Sequence, residues 1–71
     1  MPVRLSSKEI GRILKDNGFV LIGQKGSHQK WHNAELGATT IVPCHGNNQL
    51  PIGTLYSIIR ASKLEKSLFG F

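Results

Sequence analysis

The residues best suited to chemistry lie at one predicted turn and at the start of the strand that follows it. Lys25, Gly26 and Ser27 have the composition of a tight turn, and His28 comes directly after them. Histidine exchanges a proton near neutral pH because its unperturbed pKa is about 6.5, so it serves as a general acid or base. Lys25 and Lys30 flank His28 and supply positive charge for an anionic substrate. We therefore predict that His28 is a catalytic acid or base acting on a nucleic-acid backbone.

Side-chain alternation divides the predicted strand 28–33 into two sets, one on each face. His28, Lys30 and His32 share one face, while Trp31 lies on the other. Trp31 is the natural core residue, and core packing is favoured over base stacking. At about 3.3 Å per residue, His28 and His32 lie on the order of 13 Å apart, too far to act on one phosphate oxygen. The second proton-transfer group is therefore not identified by the sequence.

These side chains also fit two other interpretations. A histidine after a hairpin turn often does no more than stabilise the turn. His28, His32, Cys44 and His45 are all of a type that binds zinc, but they lack the closed spacings of zinc sites, so we predict no metal and no cofactor. Cys44 is predicted to be a semi-buried filler. His45 fits an RNA contact and a loop stabiliser equally well.

The predicted first helix spans about residues 7–16. Ser6 and Glu9 have the spacing of a capping box, and Gly18 is a suitable stop after the last turn. The residues that form its apolar stripe are Ile10, Ile13 and Leu14. Its basic residues are Lys8, Arg12 and Lys15, which suit a solvated face, a phosphate contact or a contact with an acidic partner.

Three short β-prone runs and a second amphipathic segment follow. The runs cover residues 19–22, 28–33 and 38–42, and the second helix covers about 53–63. Residues 64–71 form a tail with the character of a short docking helix. The predicted fold is α+β with the order α-β-β-β-α, in which a three-stranded antiparallel sheet has both helices on one face. The other face remains solvated, as antiparallel sheets allow.

Length and composition limit the possible classes of protein. A chain of 71 residues and 7.8 kDa is predicted to be one domain, 1–71. No apolar run reaches the length of about 20 residues that a membrane span needs, and no signal-peptide core is present, so a cytoplasmic location is expected. Nine Lys and Arg against four Asp and Glu give a net charge of +5. This charge suits an anionic partner, and it also suits a merely soluble basic domain.

An ordered set of motifs resembles the HicA toxin family of bacterial toxin–antitoxin systems. The resemblance implies a double-stranded-RNA-binding-like fold and the activity of an mRNA interferase, which cleaves mRNA and inhibits translation. It also implies that His28 is the catalytic histidine and that a HicB antitoxin neutralises the protein. The motifs that carry the resemblance are Gly26-Ser27-His28, Trp31-His32, Val42-Pro43, His45 and Gly53-Thr54-Leu55.

RNA cleavage without a metal requires a base for the 2′-hydroxyl, an acid for the leaving 5′ oxygen and positive charge at the phosphate. His28 is the predicted acid or base. The backbone N–H groups of the turn are expected to add a small anion nest. The predicted RNA contacts are Lys25, Gly26, Ser27, Lys30, His32 and His45. The alternatives are a non-catalytic basic RNA-binding module and a domain whose basic face docks a partner protein.

Overall fold

A computed structural model describes residues 5–44 and 48–71 of the chain. The order of its elements confirms the predicted α-β-β-β-α fold. The elements are α1 (Ser7–Asp16), β1 (Val20–Lys25), β2 (His28–Asn33), β3 (Ala38–Pro43), α2 (Ile52–Ser62) and a short 3₁₀ helix (Lys66–Phe69).

Helix α1 begins at a complete capping box, which confirms its predicted bounds. The Ser6 hydroxyl accepts a hydrogen bond from the Glu9 backbone N–H at 3.3 Å. In return, Glu9 Oε1 accepts hydrogen bonds from the Ser6 backbone N–H and hydroxyl, each at 3.0 Å. These contacts satisfy donors that the first helical turn leaves without an intrahelical partner. Ile10 and Leu14 of the apolar stripe are fully buried.

The three strands form an antiparallel sheet with β2 in the centre. Strand β1 is longer than predicted, because Gly23 and Gln24 pair with Lys30 and Gln29, and Lys25 pairs with His28. The predicted strand 19–22 is therefore wrong at its C-terminal end, and the turn narrows to the two residues between the strands. Strand β3 extends one residue further than predicted, through Pro43. The reason is that β3 is an edge strand, where the missing proline N–H is tolerated.

Trp31 on the central strand joins the sheet to helix α1. Its side chain is 8% exposed and lies in the hydrophobic core, as predicted. The ring packs under Gly11 of α1, where an added Cβ would lie 3.2 Å from Trp31 Cζ2. The indole N–H donates to Gln29 Oε1 at 3.4 Å. A residue without a side chain at position 11 is therefore what allows the helix to lie this close to the ring.

Both helices pack on the same face of the sheet, as predicted. The core combines the stripes of the two helices with the inward residues of β2 and β3. Helix α2 ends at Ser62, within one residue of the predicted end, and its C-cap residue Lys63 has the left-handed conformation (φ 61°). The tail docks as a 3₁₀ helix through Phe69, which is 1% exposed.

Substitution of Gly11 tests the packing of Trp31. We expect Gly11→Leu to lower the free energy of unfolding by about 1–3 kcal/mol, because its Cβ would lie 3.2 Å from the Trp31 ring and force the ring to shift. Chemical denaturation measures the loss. Gly53→Leu is the matched control, since a Cβ there meets no atom within 4 Å and leucine favours a helix over glycine. Equal losses at the two positions would contradict this packing.

Glu9 links stability to pH through the capping box. The backbone and side-chain hydrogen bonds from Ser6, assisted by the Arg12 charge, hold the pKa of Glu9 below its ordinary value of 4.5. A carboxylate with a lowered pKa in the folded state stabilises the fold above the unfolded-state pKa, and that stabilisation is lost as pH falls through the folded-state pKa. We expect Glu9→Gln to reduce the acid dependence of the unfolding free energy below about pH 4.5. If the unfolding free energies of the variant and the parent show the same dependence on pH in this acid range, the linkage is ruled out.

Candidate active site

A pocket of about 450 Å³ lies on the face of the sheet that the helices leave open. It spans all three strands at the end of the sheet nearest the β1–β2 turn. His28 and Lys30 are exposed side chains of the central strand within this pocket, as side-chain alternation predicts. The residues that line it are Gly23, Gln24, Lys25, His28, Lys30 and Ile41.

A two-residue turn fixes the position of His28 relative to Lys25. Lys25 and His28 are paired across the strands, so their Cα atoms face each other on either side of the turn. Gly26 has φ 59° and Ser27 does not have a positive φ, which matches a type II′ hairpin turn. The Ser27 carbonyl accepts a hydrogen bond from the Cys44 backbone N–H, so the turn is also tied to the end of β3.

Strand β1 contains one more residue than the part of β2 with which it pairs. Leu21 pairs with Trp31, and the next pair toward the turn is Gly23 with Lys30. Ile22 is therefore the extra residue of a β-bulge. Sequence reasoning missed this feature, although a glycine inside a strand is a recognised signal of a bulge.

The bulge decides which face of the sheet carries Lys25. Leu21 pairs with Trp31 and therefore shares its face, so strict alternation from Leu21 would place Lys25 on the helix side. The extra residue reverses the alternation, so Lys25 stands on the open face beside His28. Two lysines from different strands thus flank one histidine, and each is exposed. This arrangement offers hydrogen-bond donors and positive charge around a proton-transfer group.

Gly23 keeps the pocket open between Lys30 and the edge of the sheet. A Cβ added at Gly23 would meet no atom within 4 Å, and its backbone is not in the left-handed region. Neither a close contact nor backbone strain therefore requires glycine at this position. On the opposite side of the pocket, Ile41 of β3 forms an apolar wall.

Comparison with known proteins identifies the family. The family model described as the HicA toxin of bacterial toxin–antitoxin systems matches residues 7–64. The chain belongs to the HicA toxin family. No curated protein gives a significant match to it. A HicA-family chain is one half of a toxin–antitoxin pair, so a toxin role and an antitoxin partner follow from membership. Within the described residues, neither helix is long and apolar enough to cross a membrane.

The other predicted site residues of this HicA-family chain lie outside the pocket lining. His32 is half-buried on the same face, and its Nδ1 lies 2.9 Å from the Thr39 hydroxyl. Gly26 and Ser27 form the turn at the edge of the pocket. His45 lies outside the described residues. Across the part of the chain that the structure describes, no three His, Cys, Asp or Glu side chains group closely enough to hold a metal ion.

Replacement of Gly23 by a residue with a side chain tests whether the pocket binds a phosphate group. We expect Gly23→Val to weaken the binding of a short single-stranded oligonucleotide several-fold, because the valine fills space beside Lys30. The variant should keep the parent's stability, since valine suits a strand and meets open space. Fluorescence polarisation measures the affinity, and thermal unfolding measures the stability.

Gly53→Val is the matched control, because it makes the same change at an exposed glycine with open space around its Cβ. It should bind the oligonucleotide as the parent does. If both variants bind with the parent's affinity, the pocket is not a phosphate site.

Proposed function

We propose that this HicA-family chain is a metal-independent endoribonuclease that cleaves mRNA and thereby inhibits translation. The observation that carries the proposal is the pocket on the open sheet face, where His28 stands between Lys25 and Lys30. An imidazole supplies proton transfer, and the two ammonium groups supply charge for a phosphate. Membership of a toxin family supports a damaging activity of this kind.

His28 acts as the acid or base of an internal transesterification. The 2′ oxygen loses its proton, attacks the adjacent phosphorus and forms a new P–O bond, while the bond to the 5′ oxygen breaks. The products are a 2′,3′-cyclic phosphate on one fragment and a 5′-hydroxyl on the other. One proton leaves the 2′ oxygen and one is delivered to the 5′ oxygen. Because the two oxygens lie on opposite sides of the phosphorus in an in-line attack, His28 performs one of these transfers, and a water or the substrate carries the other proton. Among the described pocket residues, His28 is the one side chain whose type exchanges protons readily near neutral pH.

Lys25 and Lys30 bind the phosphate at which the reaction takes place. Negative charge develops on the non-bridging oxygens as the phosphorus gains a fifth ligand, and ammonium groups nearby lower the energy of that state. The open pocket gives the RNA backbone access from solvent. His32 contacts the substrate further along β2, and the turn contributes backbone N–H groups of Gly26 and Ser27. His45 completes the predicted set of contacts.

The proposed partner is a HicB-type antitoxin, and the proposed location is the cytoplasm, where mRNA is available. The pocket is exposed, so a protein that covers it would exclude RNA from His28. No metal or other cofactor is required by this chemistry, because the proton transfers and the charge stabilisation are assigned to side chains of the chain itself.

Replacement of His28 tests the chemical assignment. We expect His28→Ala to reduce the rate of RNA cleavage at saturating RNA by about a hundredfold or more, since general acid–base catalysis contributes on that scale. Gel analysis of an end-labelled RNA measures the rate, and the chemistry of the new ends identifies the 2′,3′-cyclic phosphate. The affinity for uncleaved RNA should fall much less.

His32→Ala is the matched control on the same strand face. It should weaken RNA binding and leave the rate at saturation close to that of the parent. A folded His28→Ala variant that cleaves RNA as fast as the parent would refute the role of His28. A parent protein that binds RNA with a steep salt dependence but never cleaves it would instead establish a non-catalytic RNA-binding module.

A further inference from the structure

The outer edge of β1 is open and unusually apolar. Within the described residues, β1 pairs with β2 alone, so its other edge presents backbone N–H and C=O groups to solvent. Val20, Leu21 and Ile22 are consecutive and are 63%, 42% and 53% exposed. Proteins normally protect an exposed edge strand with charges, proline or a covering segment, because such an edge readily pairs with another chain. Three consecutive exposed apolar residues on an edge indicate a functional surface.

A groove extends from this edge along the helix side of the sheet. It has a volume of about 600 Å³, and Leu21 and Trp31 belong to its lining together with Lys15 of α1. A second depression of about 360 Å³ shares Trp31 and Lys15 and continues past Arg12 and Lys8. An apolar strip beside the open edge is therefore bordered by a row of cations. Neither depression has an acidic residue in its lining.

We propose that the open edge of β1 is the docking site for an extended segment of the antitoxin, which adds a fourth strand to the sheet. Strand addition uses the free backbone groups for affinity and alternate side chains for specificity. Apolar side chains of the added strand pack on Leu21, which is exposed and lines the groove beside the edge. Acidic side chains at its margin face Lys8, Arg12 and Lys15, so the segment combines apolar and acidic residues.

Charge and surface character favour this occupant over two others. A second copy of the chain also carries a net charge of +5 and would bring like charges together. RNA would satisfy the cations but would leave the apolar edge residues without a matching surface. Trp31 is too deeply buried to offer an open ring face for base stacking. An acidic protein strand satisfies the backbone edge, the apolar strip and the cations together.

The docked strand also lies close to the pocket around His28. Gly23 separates the β1 edge from Lys30 and has no side chain to block the approach. An outward-facing acidic side chain of the added strand can therefore reach over Gly23 toward Lys30. Docking of the strand would then also inhibit RNA binding in the pocket, although the contacts that hold the strand on the β1 edge and on α1 lie outside the pocket lining. The inhibition, unlike the docking itself, rests on the proposed function, because it requires RNA in the pocket for the strand to displace.

Variants at the edge and on the basic row test the proposal. The probe is a HicB-type antitoxin, taken from the reading frame next to the gene for this chain and expressed together with the full chain. We expect Leu21→Lys and Lys15→Glu each to weaken the complex by at least about tenfold. The matched controls are Leu68→Lys and Lys66→Glu on the 3₁₀ helix, which make the same changes at exposed sites outside both depressions. The controls should stay within about twofold of the parent, as surface substitutions usually do.

Hydrogen exchange on the unsubstituted chain gives a second test that does not depend on the folding of a variant. We expect backbone amides of β1 to gain protection in the complex, because an added strand pairs with them. Equal exchange in β1 for the free chain and the complex would overturn the proposal. Unchanged antitoxin affinity in Leu21→Lys and Lys15→Glu would also overturn it. So would a parent that is a dimer in solution and that Leu21→Lys converts to a monomer, because a second copy would then occupy the edge.

Activity assays separate this proposal from the proposed function. Leu21→Lys should cleave RNA at the parent's rate, and its growth arrest should no longer be relieved by the antitoxin. If the parent chain does not cleave RNA but the edge variants still lose the antitoxin, strand docking stands and the ribonuclease assignment fails. If Leu21→Lys instead loses RNA affinity and keeps the antitoxin, the edge belongs to the RNA site and strand docking is wrong.

Discussion

The burial of Trp31 beneath Gly11 is the constraint on which the rest of the structure depends. A large aromatic side chain in the middle of the central strand determines which face of the sheet turns toward the helices. Because side chains alternate, that choice also sends His28, Lys30 and His32 to the opposite face. Core packing and exposure of the site are therefore set by one side chain. The contact leaves little room for a side chain at position 11 of α1, so the helix sequence and the strand sequence are matched at this point.

The bulge in β1 is the second constraint, and it concerns the site more than the core. Without Ile22 as an extra residue, Lys25 would face the helices and His28 would have a lysine only on its own strand. One inserted residue thus gives the pocket its second cation. Bulges are common beside active sites because they redirect a side chain while leaving the rest of the sheet intact. Gly23, directly after the bulge, leaves open space on the pocket face, because a Cβ there would meet no atom within 4 Å.

Features that depend on neighbouring residues in the sequence could be predicted, and features that depend on pairing between distant residues could not. The capping box of Ser6 and Glu9 marked the start of α1 correctly, and alternation within one strand placed Trp31 and His28 on opposite faces. The face on which Lys25 lies depends on the register between β1 and β2, which cannot be predicted from a pattern of neighbouring residues. The length of β1 was wrong because glycine usually weakens a strand and marks a turn, whereas here the pairing with β2 outweighs that preference.

The same three-stranded sheet provides two surfaces with different requirements. The pocket around His28 needs solvent access and polar groups, whereas the β1 edge is apolar and lies beside the cations of α1. The two surfaces share β1, because Gly23 and Lys25 line the pocket and Val20 and Leu21 line the groove at the edge. Because the two surfaces share a strand, binding at one can affect the other. A segment that pairs with β1 need not insert into the pocket to affect it, because alternate side chains of an added strand point to the pocket face. The bulge that brings Lys25 beside His28 also places Gly23, which has no side chain, on the pocket face between the open edge and Lys30.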